Sequence, residues 1–335
     1  MSARSIGRLV PAALLALAVP VLAVPAAGQA AAPAYVALGD SYASGTGTRS
    51  YISDGTSCQR STSAYPSLIA AARGFALNFR ACSGAKVADV TNTQLGALSA
   101  STSYVTISVG GNDAGFADVL TECATPWWAG DCDAAINRAQ AFINTTLPGR
   151  LATLYASIRA RAPHARVVVA GYPRIFMGED CNAGTWFSPS EQTRLNQTAD
   201  LLNSRTSAQA STRGFSFANP TSRFVGHAVC DDVEWLNGLS SPVSESYHPN
   251  KPGHSSGYTP TVSSLLTGAT VTASPQLASA ATARSDRLAT QQRAYAGVDA
   301  AIEPESFVAP TRQSLRQAAR SRGIDLDRWL ARRVG

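Results

Sequence analysis

Residues 35–41 read Tyr35-Val36-Ala37-Leu38-Gly39-Asp40-Ser41. A short apolar run closed by Gly-Asp-Ser is the pattern of a strand buried on both faces that feeds a tight turn. Two other runs repeat it. Tyr104-Val105-Thr106-Ile107-Ser108-Val109 closes on Gly110-Gly111, and Arg166-Val167-Val168-Val169-Ala170 closes on Gly171-Tyr172-Pro173. Between them the period changes: Leu147, Leu151, Leu154 and Ile158 form one helical stripe that Pro163 ends. Ser188-Pro189-Ser190-Glu191 is a capping box opening a helix through Leu195, Ala199 and Leu202, and Gly214-Phe215-Ser216-Phe217 suggests a further strand. Strands alternating with helices predict a three-layer α/β/α sandwich with a parallel sheet. Ligands of such sheets bind beyond the carboxyl ends of the strands, where these Gly-rich turns lie.

The chain has 335 residues, 45% hydrophobic and 15% charged, which is enough to bury a core and excludes wholesale disorder. Its 26 Gly and 18 Pro show no period, so collagen-like and low-complexity architectures are excluded too. The formal charge of +6 raises nucleic acid or a membrane surface as a partner. Its distribution narrows that choice. Residues 1–30 carry two Arg and no acid, residues 31–274 carry 16 basic and 16 acidic side chains, and residues 275–335 carry ten Arg against six acids. A neutral middle with a basic tail is not the footprint of a nucleic-acid binder.

Met1 to Ala30 holds Arg4 and Arg8, an uncharged stretch from Leu9 to Ala27, and then Gly28-Gln29-Ala30. This is the layout of a secretory signal peptide cleaved after Ala30 or Ala32, and Pro11, Pro20 and Pro25 argue against an uncleaved anchor. Export to an oxidising compartment makes Cys58, Cys82, Cys123, Cys132, Cys181 and Cys230 read as three disulfides. Sequential pairing (58–82, 123–132, 181–230) is favoured because each bond then closes a short or moderate loop. No two Cys have zinc-knuckle spacing, so neither a metal site nor a cofactor is expected. The core domain is expected over 31–274. From Pro275 to Gly335 the composition turns to Ala, Gln, Arg and Asp at helical spacing, broken by Pro304 and Pro310. The plain expectation there is a solvated, Arg-rich helical C-terminal extension. A sharper one is contact with an anionic lipid or cell-wall surface through Arg312, Arg316 and Arg320, which share a helical face. A monomer is expected.

Four separated segments supply parts of one esterase site. Ser41, between a strand end and a helix start, has its hydroxyl at the mouth of the sheet, where a helix N-terminus favours developing negative charge. Asn112, in Gly110-Gly111-Asn112-Asp113, can donate to an oxyanion, and Gly84, in Cys82-Ser83-Gly84-Ala85, can lend a backbone N–H to the same hole. His248, in Glu245-Ser246-Tyr247-His248, titrates near neutrality and can take the serine proton. Its other ring nitrogen needs an acceptor, for which Glu245, three residues earlier, and the Ser246 carbonyl both qualify. His164, His227 and His254 read as solvated, structural and loop residues respectively. Trp127 and Trp128 read as a small local core.

Together, Gly39-Asp40-Ser41, Gly84, Gly110-Gly111-Asn112-Asp113 and His248 resemble the GDSL/SGNH hydrolase superfamily. With the leader and the six Cys, the chain looks like the secreted actinomycete lipase/esterase branch over about Ala34 to Thr272. The resemblance implies a flavodoxin-like fold with Ser41 as nucleophile and His248 as base. The Ser41 backbone, Gly84 and Asn112 would be the oxyanion donors, and the three-disulfide pattern agrees with sequential pairing. Two departures stand out. Tyr42 replaces the family's Leu, a change that touches packing, and Glu245 replaces its usual Asp. Some relatives use a main-chain carbonyl at the position of Ser246, so both orienters stay open. Gly-x-Ser-x-Gly is absent around Ser41. The implied activity is hydrolysis of acyl esters by a lipase/esterase, with phospholipase A1 activity in range. A carbohydrate O-acetylesterase and a non-catalytic surface-binding protein are the alternatives.

Overall fold

The computed structural model describes residues 1–3, 7, 31–304 and 306–331. The signal-peptide reading falls largely outside these residues. A compact unit begins at Ala32. Among the described residues, β1 (Ala34–Gly39), β2 (Ala76–Phe79), β3 (Thr102–Ser108), β4 (Arg166–Ala170) and β5 (Ser216–Ala218) form one sheet in the order β2-β1-β3-β4-β5. Every pairing in it is parallel. That is the flavodoxin-like doubly wound order, whose strand sequence reverses between β1 and β3. The expected α/β/α architecture is therefore found.

The strands form where continuous apolar residues can be buried on both faces: Tyr35 to Leu38 in β1 and Val167 to Ala170 in β4 are all buried. β2 escapes a reading by pattern. Its four residues, Ala-Leu-Asn-Phe, alternate in exposure as an edge strand does, and Asn78 interrupts the apolar run. The helices of the core are α1 (Ser41–Ser44), α2 (Tyr65–Arg73), α3 (Val87–Asp89), α4 (Phe116–Cys123), α5 (Cys132–Thr145), α6 (Leu147–Arg161), α7 (Pro189–Ser211) and α8 (Thr259–Thr267). Leu147, Leu151, Leu154 and Ile158 form the buried stripe of α6. Ser188 caps α7 by accepting the Glu191 N–H while the Glu191 carboxylate takes the Ser188 N–H. Both oxygens satisfy backbone donors that a helix end would otherwise leave bare. The disulfides are Cys58–Cys82, Cys123–Cys132 and Cys181–Cys230.

The C-terminal stretch is helical, with α9 (Pro275–Thr282), α10 (Ser285–Arg293), α11 (Ala296–Asp299), α12 (Arg312–Ser321) and α13 (Leu326–Ala331). It is not a solvated appendage. α9 packs on α2 and α10 lies against β2, where Gln292 donates to Asn78, so an otherwise open sheet edge is covered. Leu288, Ile302 and Phe307 are buried in the main core. Leu315, Ala319 and Leu326 form a second cluster with Trp128, whose ring meets Trp329 edge-on at 5.3 Å. Trp127 faces solvent, so the two tryptophans divide. Helical spacing reveals that such a segment can fold, but not which surface will receive its isolated apolar residues.

A buried ion cluster fastens this stretch. The Asp299 carboxylate accepts from Arg60 at 2.6 Å and from Arg80 at 2.6 and 3.1 Å, and all three side chains are fully buried. Arg60 also meets Asp54 at 2.7 Å, which makes the cluster two guanidinium groups against two carboxylates. Removing one partner of such a set strands a buried charge. Asp299→Ala should therefore destabilise the protein by about 3–5 kcal/mol, read as a lower denaturant midpoint at unchanged slope. A change under 1 kcal/mol would mean the cluster contributes little.

Candidate active site

The site lies beyond the carboxyl ends of β1 and β3, at the point where the strand order reverses. Gly39 is the last residue of β1 and pairs with Ser108. A Cβ on Gly39 would stand 2.2 Å from the Ser108 carbonyl oxygen, so only glycine lets the two strands approach here. The turn is then fixed from three sides. The Asp40 N–H donates to the Ser108 carbonyl at 2.9 Å. The amide of buried Gln94 clasps Gly39, accepting its N–H at 2.7 Å and donating to its carbonyl at 2.9 Å. Asp40 caps α1 by accepting the Tyr42 N–H at 3.0 Å.

Ser41 thus opens α1, and its hydroxyl lies 2.9 Å from His248 Nε2. The opposite ring nitrogen, Nδ1, lies 2.9 Å from the Ser246 carbonyl. A carbonyl can only accept, so Nδ1 carries the proton and Nε2 is left as an acceptor for the serine hydroxyl. His248 is buried, and burial pulls its pKa from 6.5 down to about 4, with the Ser246 carbonyl opposing the shift.

Glu245 does not perform the orienting role it was a candidate for. Its carboxylate is turned to the opposite side, where it accepts from Tyr51 at 2.7 Å and from Arg49 at 2.9 Å. Val243–Glu245 is a single helical turn, and the long-range bonds from Arg49 and Tyr51 hold the Glu245 carboxylate while Ser246 presents its backbone carbonyl to the imidazole. Of the two open alternatives, the geometry selects the carbonyl.

The segments that carry Gly84 and Asn112 are tied to the nucleophile turn and to each other by hydrogen bonds. Cys82 donates its N–H to Gly39 at 3.0 Å, which brings the Cys82–Ala85 loop alongside the nucleophile turn. Asn112 Nδ2 donates to the Ala85 carbonyl at 3.1 Å, leaving its second N–H for another acceptor. Gly84 has φ +84°, and Glu303 and Pro304 pack directly on its α-carbon. The neighbouring Asp113 is held by the Val87 N–H and Arg150 while burial raises its pKa.

Two tyrosines join these parts. Tyr172, at the end of β4, donates its hydroxyl to Asp40 and accepts the Gly111 N–H at 3.2 Å, tying the nucleophile turn to the Asn112 loop. Burial pushes the Asp40 carboxyl up to about 7 even so. Tyr42 donates its hydroxyl to the Tyr247 carbonyl at 2.7 Å. Sequence reasoning passed over both hydroxyls and over Gln94. The polar aromatic in Gly171-Tyr172-Pro173, at a strand's carboxyl end, was a usable signal, whereas Gln94 had none. The rings of Tyr42 and Tyr172 also line an apolar cleft with Phe116, Val119, Leu195 and Leu202. Of the other histidines, His227 stacks on Trp235 at 3.7 Å, and His254 is fully buried in a helical turn over Gly253–Tyr258, not in a loop.

A serine hydroxyl on a neutral imidazole, beside backbone and amide donors, is the equipment of acyl transfer. The comparisons with known proteins agree. Residues 37–255 match the model of the GDSL-like lipase/acylhydrolase family. Lipase 1 of Streptomyces coelicolor is 44% identical over 241 residues, which are 71% of this chain and 88% of that protein. The crystal structure of phospholipase A1 from Streptomyces albidoflavus superposes with a TM-score of 0.66 at 47% identity, covering 70% of this chain and 99% of that one. That of the extracellular lipase from Streptomyces rimosus does so with a TM-score of 0.66 at 44% identity, covering 70% and 100%. With the site's geometry and a family match across most of its core, the chain belongs to the GDSL-like lipase/acylhydrolase family.

Proposed function

We propose that this protein is a secreted serine hydrolase that cleaves carboxylic acyl esters, lipids and phospholipids among them, through an acyl-enzyme on Ser41. The observation that carries the reading is the 2.9 Å contact between the Ser41 hydroxyl and a His248 ring whose other nitrogen is engaged by the Ser246 carbonyl. His248 takes the Ser41 proton as the oxygen attacks the ester carbonyl. The oxyanion is received by the backbone N–H groups of Ser41 and Gly84 and by the Asn112 amide. His248 returns the proton to the leaving alcohol, then activates the water that frees the acid. The apolar cleft beside Tyr42 and Tyr172 suits an acyl chain, and the relatives named lipase and phospholipase A1 support lipid esters as the substrate class.

Residues 1–30 serve as the signal peptide in this reading, residues 31–274 as the hydrolase domain and residues 275–335 as the Arg-rich extension. The extracellular relative supports export. The extension meets an anionic lipid or cell-wall surface. Arg312, Arg316 and Arg320 stand exposed along α12, beside the face that buried Leu315 and Ala319 anchor, and Arg312 also meets Asp327 at 2.6 Å, so Arg316 and Arg320 carry the contact. No nucleic acid is involved, and the protein works as a monomer.

Ser41→Ala should abolish hydrolysis of p-nitrophenyl esters and labelling by a fluorophosphonate without lowering the melting temperature. Substantial remaining turnover would discard the nucleophile assignment. Because burial depresses the His248 pKa to about 4, its base form persists through neutral pH and is lost only as pH falls through that value. The acid limb of kcat/KM should therefore lie near pH 4, and Glu245→Gln should leave both limb and kcat close to wild type. A loss of about 10²-fold or more in kcat would return the orienting role to Glu245. Replacing Arg316 and Arg320 together by Gln should weaken binding to phosphatidylglycerol vesicles while sparing soluble esters. Undiminished vesicle binding would reject the surface contact.

A further inference from the structure

We propose that Tyr42, the residue after the nucleophile, is a positioning residue whose hydroxyl holds the His248 loop in its working conformation; the proposal rests on the Ser41–His248 reading above. The starting point is Tyr247, which lies between the orienting carbonyl and the base. It is fully buried and has φ +61°, a left-handed conformation that large side chains rarely take. Such a residue stays there only where its surroundings over-determine it. This bend turns the Ser246 carbonyl toward Nδ1 of His248, two residues ahead. An extended Tyr247 would carry that carbonyl away, and with it the control of which ring nitrogen holds the proton.

Beside the flanking bond from the Asn237 N–H to the His248 carbonyl at 2.9 Å, three restraints act on Tyr247 itself. The Tyr247 ring packs among Phe176, Phe187 and Phe307, with centroids 5.8, 5.7 and 5.0 Å away. Its N–H donates to the Asn237 carbonyl at 2.9 Å. Its carbonyl accepts the Tyr42 hydroxyl at 2.7 Å. Of the three, only the last starts on the helix that carries Ser41, and it does so one residue from the nucleophile. It therefore links nucleophile and base directly, while the other two tie the base loop to the rest of the core. The Tyr42 ring also lies 5.3 Å from the His248 ring and 5.0 Å edge-on from Tyr172, which limits its own movement. A leucine at position 42 would fill similar space but give the buried Tyr247 carbonyl no donor. The substitution of Tyr for Leu thus reaches the chemistry, not the packing alone.

The test uses the full chain. Tyr42→Phe keeps the ring and removes the hydroxyl. Its kcat on p-nitrophenyl butyrate should fall about 10-fold or more with KM within about twofold, because a small displacement of the base impairs the reaction more than ester binding. Labelling by a fluorophosphonate should slow in parallel, and the ring-nitrogen NMR signals of His248 should move away from the single Nδ1–H tautomer. Tyr155→Phe removes another buried hydroxyl, one with no partner, and should leave all three readouts unchanged. A folded Tyr42→Phe protein with wild-type kcat and His248 signals overturns the proposal. Tyr42→Leu provides the second variant: the same loss supports the hydroxyl's role, and full activity refutes it. If Ser41→Ala stays active, the reading of the site fails. If it is dead while Tyr42→Phe is normal, only the role of Tyr42 fails.

Discussion

The close approach of β1 and β3 at Gly39 is the constraint on which the site depends. Only a residue without a Cβ lets the Ser108 carbonyl come near enough for Asp40 to bond to it. Once that contact is made, Gln94 seals the free edge of Gly39, and Ser41 emerges at the start of a helix with its hydroxyl toward the crevice. The crevice exists because the chain winds one way from β1 to β2 and then crosses back to place β3 on the other side of β1. Topology supplies the opening, and the glycine sets the nucleophile at its lip.

Around that point the protein buries four ionisable groups that each have a partner. Asp40 has Tyr172, Asp113 has Arg150 and the Val87 N–H, Glu245 has Arg49 and Tyr51, and His248 has Ser41 and the Ser246 carbonyl. The low dielectric that makes such groups costly when unpaired also strengthens directed hydrogen bonds. The imidazole can thus stay neutral and fixed in one tautomer without a carboxylate. The same economy of buried charge brings in the C-terminal stretch, because Asp299 answers two guanidinium groups inside the core. Glu303 and Pro304 then rest against Gly84, so a segment reading as an appendage shapes the edge of the site.

Much of this was legible in the chain. The apolar runs of β1, β3 and β4 and the stripe of α6 carry their own periodicities, since burial on two faces or on one leaves a distinct residue pattern. Ser41, Gly84, Asn112 and His248 stood out only jointly, through the family resemblance their four segments carry, since each alone reads as an ordinary turn or loop residue. β2 was illegible because an edge strand of four residues with a central Asn has no apolar pattern to show. Gln94, Tyr172 and the Tyr42 hydroxyl were illegible for another reason: each acts on backbone atoms distant in sequence, and such pairings leave no local trace.

The sequence by itself determined the fold class and the charge division between core and tail, because these follow from residue type and local spacing, while its family resemblance singled out the four segments proposed for the site. Tertiary structure alone decided between Glu245 and the Ser246 carbonyl, since both lie within reach of His248 along the chain. The choice turned on Arg49 and Tyr51, about 195 residues away, drawing the carboxylate aside. It likewise decided that residues 275–331 belong to the body of the protein, because a buried Arg80 needs a counter-charge and Asp299 is where the folded chain brings one.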